Sequence, residues 1–217
     1  MKILAPFLFL VLLQTSSAAD PPDLQGVYQA IPDRVTLPGN RKNVGSPSAI
    51  ELRPQARDQA KSVDLKEDPW KMCQPVGPFR MMAEEQTKIE LVPVSAKIVM
   101  LFEDLSHGML RTIYLKRGHP QKLEPDWLGD SVGRWENGTL VVDTIGFNDK
   151  TWLNNQGAQH SDALHLMERI RPVLDGQYLE YKVVAEDPKT LVKPYSYTRY
   201  YKKLDTEVVD APCQDEP

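Results

Sequence analysis

From residue 86 onward the chain is a train of short runs rich in β-branched and aromatic residues. "TKIELVPV", "KIVMLFED", "MLRTIYL", "SVGRWE", "TLVVDTI", "ALHLMERIR", "QYLEYKVVAE" and "YSYTRYYKK" all have strand length, and turn signals separate them. Eight such runs with short connections predict a mostly β fold, an antiparallel meander curling into a barrel or a strongly curved sheet. Two turns set registers. In "GRWENGTLVVD", Asn137-Gly138 suits a type I′ turn, which places Trp135 opposite Leu140 and Gly133 opposite Val142 on one face. Arg134 and Asp143 fall on the other face. In "RIRPVLDGQYLEYKVV", Asp175-Gly176 turns the chain so that Arg171 opposes Glu180 and Ile170 opposes Tyr181.

The preceding residues behave differently. Lys2, the apolar "ILAPFLFLVLL" and the small residues "SSAA" read as a secretory signal over residues 1–19, cleaved near Ala19. The apolar run is too short to span a bilayer. The expected product is exported, periplasmic or extracellular, with no membrane span. Residues 20–85 form an extended arm with one short strand at "GVYQA", one short helix near 54–63 and a Pro-rich connector holding Cys73. The barrel occupies 86–203, and 204–217 are a C-terminal tail. Lysine and arginine are scattered through a chain of net charge −4, which argues against nucleic acid as partner. Oligomeric state is left unassigned.

Polar residues concentrate in two places. "WLNNQGAQHSDALHLMERIR" holds His160, Asp162, His165 and Glu168 within nine positions. Strand alternation puts Leu164, Leu166, Glu168 and Ile170 on one face and His165, Met167 and Arg169 on the other. Glu168 therefore interrupts an apolar stripe that meets Tyr181 across the hairpin. A carboxylate so placed must be paired, protonated or opposed to a ligand. One reading is a structural pair with Arg111 or Arg134. The other is an acid or base, because burial raises a carboxyl pKa into a useful range. His160, Asp162 and His165 have the ligand types of a metal site, but their spacing matches no established motif. A metal is the alternative and no cofactor is favoured. The second stretch, "RGHPQKLEPDWLGDSVG", places His119, Trp127 and Asp130 in a loop at the barrel mouth, where Trp127 and Trp152 would flank a pocket.

"RTIYLKRGHP", "PDWLGDSVGRWENGTLVVDTIGFNDKTW", "HSDALHLMERIR" and "AEDPKTLVKPY" together resemble a large family of exported bacterial proteins. Its pattern runs R-x-I-Y-x-D-G-R-x-H-P, then W-x-G-D-S-x-G-x-W-E-x-x-T-L-V-V-D-T, then G-F-N-D-x-T-W, then H-S-D-x-L-H-x-x-E-R, over roughly residues 70 to 195 here. Lys116 departs from it, standing where the family carries an acid. The resemblance names no activity. It implies that Arg111, His119, Trp127, Asp130, Trp135, Asp143, Asn148, Asp149, Trp152, His160, Asp162, His165 and Glu168 belong to a family-wide polar and aromatic set.

Three functions follow as expectations. The first is an exported enzyme on a lipocalin-like barrel using acid–base chemistry, as a lyase, hydratase, isomerase or hydrolase. Glu168 would be its acid or base, with His165, His160 and Asp162 as helpers. Arg111, His119, Trp127, Asp130, Trp152 and Tyr181 would bind the small-molecule substrate. The second is a non-catalytic carrier of an apolar or aromatic ligand. The third is a structural module of the cell envelope.

Two cysteines in an exported chain predict a Cys73–Cys213 disulfide. It would close a loop of roughly 140 residues and contribute ~4 kcal/mol by chain entropy. Thiol titration of the unfolded, unreduced mature protein should find no free thiol; two per chain would refute the pairing.

Overall fold

The computed structural model describes residues 20–85, 87–103 and 109–209. The expected signal and Cys213 lie outside those residues. In chain order the strands are β1 (Gly26–Ala30), β2 (Thr36–Leu37), β3 (Arg41–Lys42), β4 (Lys88–Val94), β5 (Lys97–Glu103), β6 (Met109–Tyr114), β7 (Asp130–Glu136), β8 (Thr139–Ile145), β9 (His165–Val173), β10 (Tyr178–Glu186) and β11 (Tyr195–Leu204). β2 and β3 make a small hairpin of their own. The other nine close into one barrel in the order β1-β11-β10-β9-β8-β7-β6-β5-β4. All eight runs expected as strands are staves of it. β1, the "GVYQA" run of the arm, is the ninth; it pairs with β11 on one side and β4 on the other, so the arm is part of the barrel.

Nine is an odd number, and strands that alternate in direction cannot close an odd ring. One neighbouring pair must be parallel. Here it is β6 with β7, registered at Ile113↔Ser131 and Tyr114↔Val132. A parallel pair needs a crossover of a dozen or more residues. Residues 115–129 supply it, so this polar loop has a topological reason for its length. The hairpins follow the expected registers. Asn137 and Gly138 have φ of 48° and 75°, and Trp135 pairs with Leu140. Arg171 pairs with Glu180, and Ile170 with Tyr181.

Alternation fills the lumen. Ile89, Leu91, Met100, Phe102, Ile113, Val142, Leu166, Ile170, Tyr181, Tyr197 and Tyr201 are all buried in one core. Gly133 faces the same lumen, where a Cβ would come within 2.8 Å of Ile113 and 2.9 Å of Leu115. The Pro-rich connector plugs one end. Gly77, at φ 81°, turns the chain into α2 (Pro78–Met81), whose four residues are all buried. Phe79 packs edge-on against Tyr197 with ring centroids 5.2 Å apart. The Tyr197 hydroxyl donates to the Phe79 carbonyl, and the Tyr201 hydroxyl to the Met82 carbonyl at 2.6 Å. The expected short helix is α1 (Pro54–Ser62). It buries none of its residues and is moored beside the barrel by the Arg53 amide, which donates to the Thr190 carbonyl. Among the described residues no helix is long and apolar enough to cross a membrane.

Candidate functional site

Glu168 points into the lumen and is fully buried, as its place in the apolar stripe requires. Arg111 of β6 faces it. Arg111 Nη1 donates to Glu168 Oε1 at 2.9 Å, and Nη2 donates to Oε2. The Tyr181 hydroxyl donates to Oε1 at 2.8 Å and the Thr144 hydroxyl lies 3.3 Å from Oε2. Arg111 also donates from Nε to Ser131 Oγ at 3.0 Å and from Nη2 to Thr144 Oγ1 at 2.8 Å. Ser131 and Thr144 are 3.1 Å apart. The donors can run in sequence: Arg111 to Ser131, Ser131 to Thr144, Thr144 to Glu168. Burial alone would lower the Arg111 pKa; the Glu168 charge and hydrogen bonds outweigh it and hold the guanidinium above its ordinary value. Burial first, then the Glu168 charge, pushes the Tyr181 phenol well up, so Tyr181 stays a donor.

A carboxylate offers about four acceptor sites on its two oxygens. Four donors surround Glu168, which leaves none turned toward a substrate. Of the two sequence readings of Glu168, this geometry is the paired one. Arg111 is the partner, while Arg134 is exposed and bound to Glu136.

The other polar residues do not gather around Glu168. His160 is buried beside Phe147, with Nε2 2.7 Å from the Thr151 hydroxyl and Nδ1 2.9 Å from the Ser161 carbonyl. Burial lowers its pKa and the Ser161 bond opposes that in part, so the neutral ring is favoured. Asp162 is exposed and bound to Lys189, which holds its carboxyl below the usual range. It is a surface residue and does not meet His160 or Glu168. His165 faces outward from β9. The alternative metal set of His160, Asp162 and His165 therefore does not converge, each residue being committed to a different partner. Among the described residues no group of three or more His, Cys, Asp or Glu could hold a metal ion.

A different grouping forms on the outer wall. His119 of the crossover has Nδ1 2.6 Å from Asp130 Oδ1 and Nε2 3.3 Å from Asp143 Oδ1. His165 Nε2 reaches the same Asp143 oxygen at 3.1 Å. Arg117 grips Asp130 with both terminal nitrogens and lies 3.6 Å over the Tyr114 ring. Burial would raise the Asp130 carboxyl, but the Arg117 and His119 bonds hold it below its ordinary value. These groups come from the crossover, β7, β8 and β9. Asp143 is recognisable in sequence as an outward-facing residue opposite the lumen set. Its meeting with His119 and His165 depends on the strand order.

A cavity of about 1050 Å³ lies outside the lumen, in a cleft beside α2 and the β1–β4–β5 rim. Leu65, Trp70, Val76 and Met81 supply apolar lining; Arg80, Lys88 and Glu103 supply charge. Arg80 and Asp68 form a buried two-pronged pair at 2.7 and 2.9 Å. Trp127 and Trp152 do not line this cleft. Trp152 is buried, and Trp127 lies under Lys150. The sequence places a pocket at the crossover loop between Trp127 and Trp152, whereas the tryptophan that lines this cleft is Trp70. Trp70 sits in the connector, which reads from sequence as a mere link.

No family model and no curated protein matches the chain. Among solved structures it is similar to one described as "REP1-NXSQ fatty acid transporter", with 10% identity, a TM-score of 0.44, and coverage of 85% of this chain and 98% of that one. It is also similar to a point mutant of the fluorescent protein UnaG, with 12% identity, a TM-score of 0.33, and coverage of 55% of this chain and 73% of that one. Likeness at this level says nothing of a shared ligand.

Glu168→Gln should strand the Arg111 charge and destabilise by about 3–5 kcal/mol. Replacing both partners, Arg111→Met with Glu168→Leu, should recover most of that loss. Urea unfolding midpoints of the three forms measure this; a Glu168→Gln protein as stable as the parent would refute the pair's structural role. His160 makes a second prediction. Its folded pKa is lowered, so below the ordinary value of 6.5 the unfolded chain takes up the proton first. The stability it contributes is full above that value and falls as pH drops toward the folded pKa. His160→Gln should flatten the decline in urea midpoint between about pH 7 and pH 5.

Proposed function

We propose that this protein is a small-molecule-binding barrel, a non-catalytic carrier that holds an amphipathic organic ligand in the rim cleft. The observation that carries this is the cleft itself, about 1050 Å³, where Leu65, Trp70, Val76, Met81 and Val209 supply apolar surface among ten polar or charged residues, beside a lumen packed with side chains. Binding sites for small organic molecules are concave and combine apolar surface with placed polar groups; this cleft has a larger polar share, which suits an amphipathic rather than a purely apolar ligand. The ligand class that suits such a lining has an apolar or aromatic body and an ionisable end. Trp70 would lie against the body, and Lys88 or Glu103 would meet the charged end. Export through residues 1–19 and a Cys73–Cys213 bond belong to the same reading.

A catalytic reading has one observation in its favour, the chain His119–Asp143–His165. Asp143 Oδ1 lies 3.1 Å from His165 Nε2, a carboxylate that would orient this part-buried ring as a base. No cavity with this set in its lining accompanies it among those described. Asp143→Asn separates the two readings, since it would abolish turnover without touching the cleft.

The cleft is tested with 1-anilinonaphthalene-8-sulfonate, an apolar fluorophore carrying an anionic group. Trp70 is 39% exposed, so its truncation should leave the core intact. Trp70→Ala should weaken dye binding about tenfold, or about 1.4 kcal/mol, without moving the urea midpoint. Equal affinity in the two proteins would place the dye elsewhere and refute the cleft as the site.

A further inference from the structure

A second cavity, of about 390 Å³, lies between α1 and the loop of residues 154–158. That is near the lower end of the range for small-molecule pockets, about 300–1,000 Å³. Ile50, Leu52, Val63 and Ala158 give it an apolar floor, and Ile50 and Leu52 also pack against the barrel core. The loop wall is fixed in place. Asn154 is buried; its Oδ1 accepts from the Gln156 and Ala158 amides at 3.0 and 3.2 Å, and its Nδ2 donates to the Pro47 carbonyl at 3.2 Å. Gly157, at φ 83°, lets loop and helix touch. A Cβ there would come within 2.5 Å of Val63 Cγ1 and 2.8 Å of the Ala60 carbonyl oxygen.

The charge in this lining has one sign. Arg57 and Lys61 both border the cavity, and among the described residues no acidic side chain does. They stand one turn apart on α1 and so share a face. Arg57 Nη2 donates to the Leu52 carbonyl at 3.0 Å, and among the described residues neither cation is paired with a carboxylate. Like charges at this spacing repel and weaken a helix. Packing does not account for them, since α1 buries none of its residues. The rim cleft differs, because its Arg80 and Lys88 are neutralised by Asp68 and Glu103.

We propose that the α1 cavity is a second binding site, for a small organic anion with a short apolar body. The body would lie on the Ile50–Leu52–Ala158 floor and the anionic group between Arg57 and Lys61. A single exposed cation holds an anion weakly. Two that border one cavity act together, and the floor removes the body from water. Leu65 lines both cavities and is their common wall. The anion site nevertheless does not depend on the ligand-binding reading of the rim cleft.

Three probes dissect the site in the full chain: benzenesulfonate, its neutral analogue benzenesulfonamide, and sulfate, which has the charge without the body. Amide chemical shifts are followed by two-dimensional NMR during each titration. Benzenesulfonate should shift Ala60, Gln156 and Ala158 and bind about tenfold tighter than either other probe. Lys61→Gln should lose most of that preference for the sulfonate over the sulfonamide, and Lys61→Arg should keep it. The exposed position of Lys61 leaves the fold unchanged in both. Trp70→Ala should bind benzenesulfonate as the parent does. Equal affinity for sulfonate and sulfonamide, no binding, or an undiminished preference in Lys61→Gln overturns the site. Loss of these shifts in Trp70→Ala places the probe in the rim cleft and overturns it too. Failure of the rim cleft alone, read with 1-anilinonaphthalene-8-sulfonate, leaves the Ala60, Gln156 and Ala158 shifts in place.

Discussion

The Arg111–Glu168 pair pins together five consecutive staves. Arg111 comes from β6, Ser131 from β7, Thr144 from β8, Glu168 from β9 and Tyr181 from β10, and one hydrogen-bonded circuit runs through all of them. It crosses the weakest seam of the barrel. The parallel β6–β7 contact has two registered pairs, where β9 and β10 have nine. An odd-stranded barrel must have such a seam, and this one is reinforced from inside by Arg111 reaching Ser131. Two charges removed from water are costly unless every donor and acceptor is met. Here nearly all are met by Ser131, Thr144 and Tyr181, which offsets the cost of burying the two charges.

That closure leaves the lumen filled. Tyrosines, methionines and the ion pair occupy it, and the cleft lies at the rim. The cleft is lined by the connector, by the edges of β1, β4 and β5, and by Asn155 and Val209. α2 plugs the end with four buried residues and leaves its outer edge as a wall of the cleft. The Asp68–Arg80 pair stiffens that wall, so the cleft is held by a desolvated bidentate contact on one side and by the β1–β4 edge on the other.

Much of the barrel was legible in the chain because strand alternation and turn chemistry are local. All eight runs became staves, both hairpins took the expected registers, and Glu168 faced inward because alternation left it no other side. The "GVYQA" strand was visible too, but not its task of closing the ring between β11 and β4. The site was less legible. His160, Asp162 and His165 are near in sequence yet point to a buried threonine, a surface lysine and an outer-wall aspartate. His119, Asp130 and Asp143 are spread over 25 residues and meet within hydrogen-bond distance.

The sequence by itself determined the strands, their faces, the two tight turns and the conflict posed by a carboxylate in an apolar stripe. Those follow from side-chain period and backbone preference, which act over a few residues. Tertiary structure alone decided that Arg111 resolves the conflict, that a proline-broken connector becomes the plug, and that Trp70 rather than Trp127 or Trp152 borders a cavity. Each depends on which strands become neighbours when the ring closes. The parallel β6–β7 seam fixes that order, and it is a property of the closed ring that no local stretch of the chain contains.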